Sequence, residues 1–264
     1  MKVTILLCII SLIGCWSPKA QAIDHHLWDM LLQKHVQVIM SGNSTLVNYA
    51  GIASEEDILQ QYLQQMSSIT VTEFDNWPKN EQLAFLINAY NAWTVALILT
   101  QYPDLSSIKD LGSFFQTPWK KNFIPLLGKK RSLDDIEHNL IRGSGRYNEP
   151  RIHFAVNCAS IGCPALGTEA YRGDHLEEQL EEATKKFLQD HQRNRFEDNM
   201  LKISSLFKWY KKDFAQGWRG AKTLHQFLAL YHTSLQIPAN QLTQLKNGDI
   251  DILYLKYDWH LNDT

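Results

Sequence analysis

The chain has 264 residues, of which 44% are apolar, and its formal net charge is −2 at pH 7. A chain of this length and composition forms one large domain or two small ones and buries a substantial core. The slightly acidic balance argues against a nucleic-acid partner, because proteins that bind nucleic acids carry a basic surface.

Residues 1–22 are predicted to form a secretory signal peptide. Lys2 precedes an apolar run from Val3 to Trp16, and the segment ends in the small residues "AQA". The run is shorter than the roughly twenty residues of a transmembrane helix, and no later segment is expected to reach that length. We therefore expect an exported protein, periplasmic or secreted. The alternative is a lipoprotein anchored through Cys15, because "LIGC" resembles a lipobox.

Residues 23–264 are predicted to form a single globular domain. Helical patterns dominate its first half. Apolar residues recur at helical spacing from Asp24 to Met40. Ser54 and the acidic residues after it resemble a capping box ahead of a second helix. Residues 81–102 are apolar nearly all round and stop at Pro103, so we expect them to form the central helix.

The second half combines short strands with further helices. Its predicted elements are a hairpin around Gly128, helices over 133–142, 174–190, 205–214 and 221–231, a buried strand over 151–156, and a final strand over 249–259. Many helices and few strands, without a βα repeat, indicate an α+β fold. We expect a mainly helical domain with a small, mostly antiparallel sheet.

Several segments resemble a known family, in the same order and with similar spacing. They are "FLINAYNAWTV", "PWKKNF", "SLDDIEHNLIR", "PRIHFAVNCASIGCPAL", "AYRGDHLEEQLEEATKKFL", "FKWYKKDF" and "YDWHLND". From about Asp24 to Asp263 the chain resembles the family named domain of unknown function 547, and its bacterial secreted branch most closely. The resemblance implies no particular reaction, because the family is named for the lack of one.

The segment "RIHFAVNCASIGCPALG", residues 151–167, contains Cys158 and Cys163. In an oxidising compartment the two cysteines can form a structural disulfide, whereas a free Cys158 could act as a nucleophile if an imidazole lowered its pKa. In a strand, His153 and Asn157 share a face, but about 16 Å would separate His153 from Cys158 unless the loop folds back. A disulfide, a catalytic Cys158 and two inert thiols therefore all remain open.

A second group of polar residues begins the helix predicted after the hairpin. Asp134 and Glu137 lie in its first turns, where acidic side chains commonly stabilise the helix dipole. His138 lies four residues after Asp134 on the same face, so that carboxylate could orient the imidazole as a general base. The group is either structural or part of a binding and catalytic site.

Asn88 and Asn91 interrupt the apolar central helix at adjacent positions of one face. A buried amide without partners costs about 1–3 kcal/mol, so both side chains must be bonded. They either clamp the backbone of the "NCASIGCP" loop or line a pocket and face a substrate carbonyl. Both interpretations place this helix beside the cysteines.

Lys120 and Asp258 complete the candidate residues. Lys120 follows Pro118 and Trp119 and is a candidate for ligand binding. Asp258 lies in the closing segment, where its carboxylate could orient His153 or His138 as the third member of a catalytic triad.

Two functions remain open. The sequence has no GxGxxG, P-loop, HExxH or CxxC motif, so we expect no nucleotide cofactor and no metal. The first candidate is a cysteine-dependent hydrolase or acyl transferase, papain- or transglutaminase-like by analogy, with Cys158 as nucleophile and His153 or His138 as base. The second is a non-enzymatic envelope module, in which a Cys158–Cys163 disulfide locks a loop beside a groove for a peptide, glycan or partner protein.

Overall fold

The computed structural model describes residues 23–113 and 115–264. The predicted signal peptide and Cys15 lie outside these residues. The helices are α1 (His26–His35), α2 (Tyr49–Ser54), α3 (Glu56–Ser68), α4 (Val71–Asn76), α5 (Lys79–Leu99), α6 (Leu176–Gln189), α7 (Leu206–Trp209), α8 (Leu224–Leu230) and α9 (Leu242–Asn247). The strands are β1 (Val36–Ile39), β2 (Ser44–Val47), β3 (Ile124–Leu126), β4 (Lys129–Arg131), β5 (Asn194–Glu197), β6 (Met200–Ser204) and β7 (Ile252–Leu255). A helical segment with π-type hydrogen bonds, Asp135–Arg142, follows β4.

The strands form small sheets, which confirms the predicted α+β fold. β1 pairs with β2 and β3 pairs with β4, both antiparallel. β6 lies between antiparallel β5 and parallel β7. The turn between β3 and β4 contains Leu127 and Gly128, whose φ angles of +50° and +70° suit a tight hairpin. The predicted hairpin and final strand are confirmed.

Helix α5 is the predicted central helix, and its residues from Gln82 to Ala92 are all buried. It ends at Leu99, ahead of Pro103. Helix α5 is longer than the sequence analysis expects of any later segment and, by length and composition alone, could cross a membrane. However, 83% of its most apolar stretch is buried inside the fold, and a soluble core helix has the same length and composition. Its apolarity is therefore explained by packing.

Two details of the helices near the N-terminus differ from the prediction. The helix predicted over 24–40 ends at His35, because the chain continues as β1. Ser54 does not form the predicted capping box, because it is the last residue of α2 and its hydroxyl donates to a carbonyl three residues earlier. A capping box is present at the start of α4, between Thr70 and Glu73.

Two apolar clusters meet at residues 150–157. The first cluster surrounds α5 and includes Ile152. The second cluster is rich in phenylalanine and includes Phe154. His153 therefore lies between two side chains that anchor the backbone in different clusters, which restricts the position of its ring.

The strand predicted over 151–156 is wrong, because Pro150–Phe154 form a 3-10 turn. Pro150 suits the first position of such a turn, and the Glu149 carboxylate accepts the Arg151 N–H at 3.1 Å. All residues from 150 to 157 are buried. A continuous buried run has no periodicity that distinguishes a strand from a helical turn.

Asn88 and Asn91 both clamp backbone groups, but only Asn91 contacts the segment that leads into the cysteine loop. Its Nδ2 donates to the Ala155 carbonyl at 3.0 Å, and its Oδ1 accepts from the Asn157 N–H at 2.8 Å. Asn88 donates to the carbonyl of Tyr171 at 2.7 Å and accepts from its N–H at 2.9 Å. The predicted clamp is confirmed for Asn91, whereas for Asn88 the predicted target is wrong, because Asn88 holds the chain ahead of α6.

Replacing Asn91 by Leu should lower the free energy of unfolding by about 2–4 kcal/mol, because one buried carbonyl and one buried N–H would lose their partners. Asn80, exposed in the first turn of the same helix, provides the matched control. Asn80→Leu should change stability by less than about 0.5 kcal/mol. Urea denaturation measures both variants, and equal effects would show that the Asn91 clamp contributes nothing.

Candidate functional site

An open pocket with a cavity volume of about 160 Å³ is lined by residues of both clusters. This volume is smaller than the roughly 300–1,000 Å³ of sites that enclose a drug-sized ligand, so the pocket suits a small group or one part of a larger ligand. Helix α5 contributes Tyr90 and helix α7 contributes Leu206. The pocket also brings together six of the candidate residues predicted from the sequence. These are Asp134, Glu137, His138, His153, Cys158 and Cys163.

His153 is 1% exposed and forms a dyad with Asp213. Its Nε2 lies 2.8 Å from Asp213 Oδ2, and its ring stacks on Tyr210 with centroids 3.8 Å apart. Burial opposes the ionisation of Asp213, but bonds from His153 and Arg142 outweigh it and hold the Asp213 pKa well below its usual range. Because the ionised carboxylate only accepts hydrogen bonds, Nε2 of His153 must carry the proton that it donates.

The other ring nitrogen of His153 is consequently a free base. Nδ1 has no hydrogen-bond partner, and its nearest carboxylate oxygen is Glu137 Oε1 at 4.0 Å. Burial lowers the pKa of His153, although the neighbouring carboxylates of Asp213 and Glu137 oppose this effect. The imidazole is therefore neutral at pH 7, with a lone pair on Nδ1. A carboxylate on one nitrogen and a free lone pair on the other is the arrangement of a general base.

Glu137 provides a second acceptor without a partner. Its Oε1 is buried and lies 3.8 Å from His138 Nδ1 and 4.0 Å from His153 Nδ1. Burial and the Glu137 carboxylate raise the pKa of Tyr210, whose hydroxyl therefore stays protonated. A water, hydroxyl or amine between Glu137 and His153 would donate to these acceptors. Within residues 23–113 and 115–264, no group of three or more His, Cys, Asp or Glu side chains could hold a metal ion.

His138 has no free lone pair, because its Nδ1 accepts a hydrogen bond from Arg142 Nη1 at 2.7 Å. Its Nε2 lies 3.7 Å from Asp134 Oδ1, on the side that the spacing predicts. Burial raises the pKa of Asp134, opposed in part by the nearby His138 and by the positive charge of the exposed Lys120. Of the two candidate bases, the geometry thus favours His153.

Asp258 does not orient either histidine. It is exposed, and its Oδ1 accepts the backbone N–H of His260 at 3.0 Å and lies 2.6 Å from that ring. The predicted triad member is therefore wrong, and Asp213 holds His153 instead. Asp213 is 60 residues from His153 in the chain and follows two lysines, so no local spacing indicates the pair. Its one signal is its place in the family-like segment "FKWYKKDF".

Cys158 and Cys163 lie within disulfide distance of one another, with Cα atoms 6.1 Å apart. The prediction that the two sulfurs are close is confirmed. Cys158 also lines the same pocket as His153, because the residues between them form a compact turn and not an extended strand. The pair is therefore positioned for either a structural or a chemical role.

The loop between the cysteines is closely packed and partly strained. Asn157 fixes both of its ends, because its Nδ2 donates to the Pro164 carbonyl at 2.8 Å and its Oδ1 accepts from the Ala159 N–H at 2.9 Å. Ala159 has a φ of +60°, which is uncommon for a residue with a Cβ atom. A Cβ atom on Gly162 would lie 2.8 Å from the Asp258 carbonyl oxygen, so only glycine fits there. Strain of this kind is frequent in functional loops.

Aromatic side chains form one wall of the pocket. The rings of Trp209, Tyr257 and Trp259 pack with centroids 4.5 to 5.7 Å apart, and Trp119 adjoins Trp259. Trp209 is 49% exposed, so part of this wall is open to a ligand. Such a surface beside hydrogen-bonding groups suits the apolar face of a peptide or a sugar.

The bond to Asp213 predicts one tautomer of His153, with Nε2 protonated and Nδ1 unprotonated at pH 7. In Asp213→Asn, Arg142 would take the amide oxygen and the amide nitrogen would face Nε2, so we expect the proton to move to Nδ1. Nitrogen-15 NMR of the histidine rings distinguishes the tautomers, and Asp258→Asn is the control that should change nothing at His153. A wild-type ring protonated at Nδ1 would contradict the assignment.

Residues 74–188 match the model of a family described as a protein of unknown function, DUF547. The matched segment extends from α4 through α6 and includes His153 and both cysteines, whereas Asp213 and Tyr257 follow it. No curated protein and no solved structure matches the chain. The match agrees with the resemblance seen in the sequence motifs. Residues 74–188, less than half of the chain, are thus similar to the DUF547 family.

Proposed function

We propose that the chain is a cysteine-dependent hydrolase or acyl transferase with His153 as its general base. The observation that carries the proposal is Nδ1 of His153, a buried basic atom without a partner in a pocket that Cys158 also lines. Asp213 holds the opposite nitrogen and thereby fixes the tautomer of the ring. A thiol or hydroxyl proton in the pocket would satisfy this nitrogen, whose burial without a partner costs about 1–3 kcal/mol.

In the reduced protein, Cys158 supplies the nucleophile. Nδ1 of His153 takes the thiol proton, and the sulfur attacks the carbonyl carbon of an ester or amide. The imidazolium returns the proton to the leaving group as its bond to that carbon breaks. Water or an amine then attacks the thioester with the same base, and Asp213 stabilises the imidazolium in both steps.

The pocket favours a peptide or glycan ligand that combines an apolar face with hydrogen-bond donors. The apolar face would pack on the exposed part of Trp209. A hydroxyl or amide N–H would donate to Glu137 Oε1, which lacks a partner inside the protein. The acidic side chains of the pocket make an anionic ligand less favourable.

A binding module without catalysis is the second candidate, because Cys158 and Cys163 lie within disulfide distance. A permanently closed pair has no thiolate, so the pocket would bind its ligand without cleaving it. The aromatic wall serves this function equally well. The two candidates differ in the effect of reduction.

A panel of p-nitrophenyl esters and peptide p-nitroanilides, assayed with and without dithiothreitol, tests the proposal. We expect the wild-type protein to be active after reduction, and Cys163→Ser to be active without reductant, because its Cys158 is free. In the Cys163→Ser background, Cys158→Ala and His153→Gln should each lose at least about a hundredfold in kcat/KM. His138→Gln is the matched control and should lose much less.

Two results would contradict the hydrolase. If Cys158→Ala in the Cys163→Ser background were as active as Cys163→Ser alone, the thiol mechanism would be excluded. A folded Cys163→Ser that cleaves nothing, together with wild-type cysteines that resist iodoacetamide until dithiothreitol is added, would support the binding module.

We infer that the protein acts outside the cytoplasm, as a member of the bacterial secreted branch. Residues 1–22 have the pattern of a signal peptide, and the two cysteines of the domain lie at pairing distance. The exported chain should begin at Ile23, which mass spectrometry of the isolated protein measures. An acylated Cys15 at the N-terminus would instead show a lipoprotein.

A further inference from the structure

The two sulfurs of the Cys158–Cys163 pair have different surroundings. Cys163 is 4% exposed, and its Sγ accepts the backbone N–H of Cys158 at 2.9 Å and the hydroxyl of Tyr257 at 3.2 Å. Cys158 is partly exposed at the pocket, and its Sγ lies 3.3 Å from the hydroxyls of both Ser160 and Tyr257. An incoming group therefore reaches Cys158 first, while Cys163 accepts both the backbone N–H of Cys158 and the shorter contact from Tyr257.

Hydrogen-bond donors stabilise a thiolate more than a neutral disulfide sulfur, because bonds to a charged acceptor are about twice as strong. A leaving thiolate that is stabilised in this way departs faster in thiol–disulfide exchange. The donors on Cys163 thus act where negative charge develops when the bond between the two sulfurs breaks. This is the same principle as an oxyanion hole, applied to sulfur.

The position of the Tyr257 hydroxyl is fixed by its neighbours. It accepts a hydrogen bond from Ser160 Oγ at 3.3 Å, and its ring packs against Trp209 and Trp259. Gly162 allows the loop to lie close to this ring, since a Cβ atom there would be 2.9 Å from it. Burial raises the pKa of Tyr257, so the hydroxyl keeps its proton and remains a donor.

We propose that Cys158–Cys163 is a thiol–disulfide exchange site that takes a low-molecular-weight thiol from the pocket, with Cys158 as the attacked sulfur and Cys163 as the leaving group. The thiolate of the small thiol forms a bond to Cys158 Sγ, the bond between the cysteines breaks, and its electron pair goes to Cys163 Sγ. A second small thiol then attacks the mixed disulfide and releases Cys158. Two small thiols are oxidised to one disulfide, the protein pair is reduced by two electrons, and the two thiol protons pass to the cysteines.

This reaction is separate from the proposed hydrolase activity, because it uses no ester or amide substrate. The exchange does not require Cys158 to act as a nucleophile toward carbonyl groups. Its test therefore measures only the oxidation state of the two cysteines.

The first experiment identifies the attacked sulfur. The folded, oxidised wild-type protein is treated briefly with 2-mercaptoethanol, free thiols are trapped with excess N-ethylmaleimide at near-neutral pH, and peptide masses are determined. We expect the mixed disulfide on Cys158 and the alkyl group on Cys163. The reverse distribution, or a pair that opens only after unfolding, would overturn the proposal.

The second experiment tests the donor from Tyr257. Tyr257→Phe removes the hydroxyl but keeps the ring, and should slow the opening of the pair by about tenfold, since a hydrogen bond to a charged group is lost. Tyr254→Phe is the matched control, because the Tyr254 hydroxyl contacts neither sulfur, and its rate should equal that of the wild type. Circular dichroism establishes that both variants are folded. An unchanged rate in folded Tyr257→Phe would contradict the role of the hydroxyl.

A reduced dithiol protein of the thioredoxin type serves as the second arm of the same assay. At equal concentrations of thiolate, we expect 2-mercaptoethanol to open the pair at least as fast as the protein dithiol does. Opening by the protein dithiol alone would show that the reductant is a protein surface and would reject the small-thiol site. Because the mapping in the wild type needs no variant, the proposal stays testable even if Tyr257→Phe does not fold.

Discussion

The fold and the site both depend on the burial of α5 on all sides. A helix in that position can accept a polar side chain only where another buried group bonds to it. Asn91 meets this constraint by bonding to the carbonyl of Ala155 and to the N–H of Asn157. The Asn157 side chain in turn bonds to the loop that holds Cys158 and Cys163. Helix α5 therefore determines where the sulfurs of Cys158 and Cys163 lie.

A second constraint comes from the sharing of one carboxylate, Asp213, by Arg142 and His153. Arg142 keeps Asp213 ionised, and the ionised carboxylate fixes the proton of His153 on Nε2. The same arginine occupies the lone pair of His138. Through these contacts Arg142 leaves a free lone pair on His153 Nδ1 and occupies the lone pair of His138 Nδ1, so the two nearby histidines differ in their hydrogen bonding.

The parts of the fold that could be predicted from the sequence are those with a local physical signature. Helix α5 has a long apolar run, and the hairpin at Gly128 has a residue that tolerates positive φ. The turn at 150–154 could not be predicted, because burial on every side leaves no periodicity to read. The Asp213 partnership could not be predicted either, because it joins residues 60 positions apart through tertiary packing alone.

The candidate site could likewise be predicted only in part from the sequence. The histidines, acids and cysteines of the pocket could be named because reactive residue types are visible in a sequence. Their pairing depends on hydrogen-bond geometry, which a linear pattern does not encode. Asp258 illustrates the difference, because a carboxylate in a family-like segment proved to bond only to its neighbour His260.

The central claim is that the Nδ1 lone pair of His153 serves Cys158 when the cysteine pair is open. A crystal structure of the dithiol form measures this most directly, through the distance between Cys158 Sγ and His153 Nδ1. The account predicts a separation of about 3–4 Å, directly or through one ordered water, with Asp213 still bonded to Nε2. A reduced Cys158 that stays bonded to Ser160 and Tyr257, with His153 Nδ1 satisfied by another protein group, would contradict it.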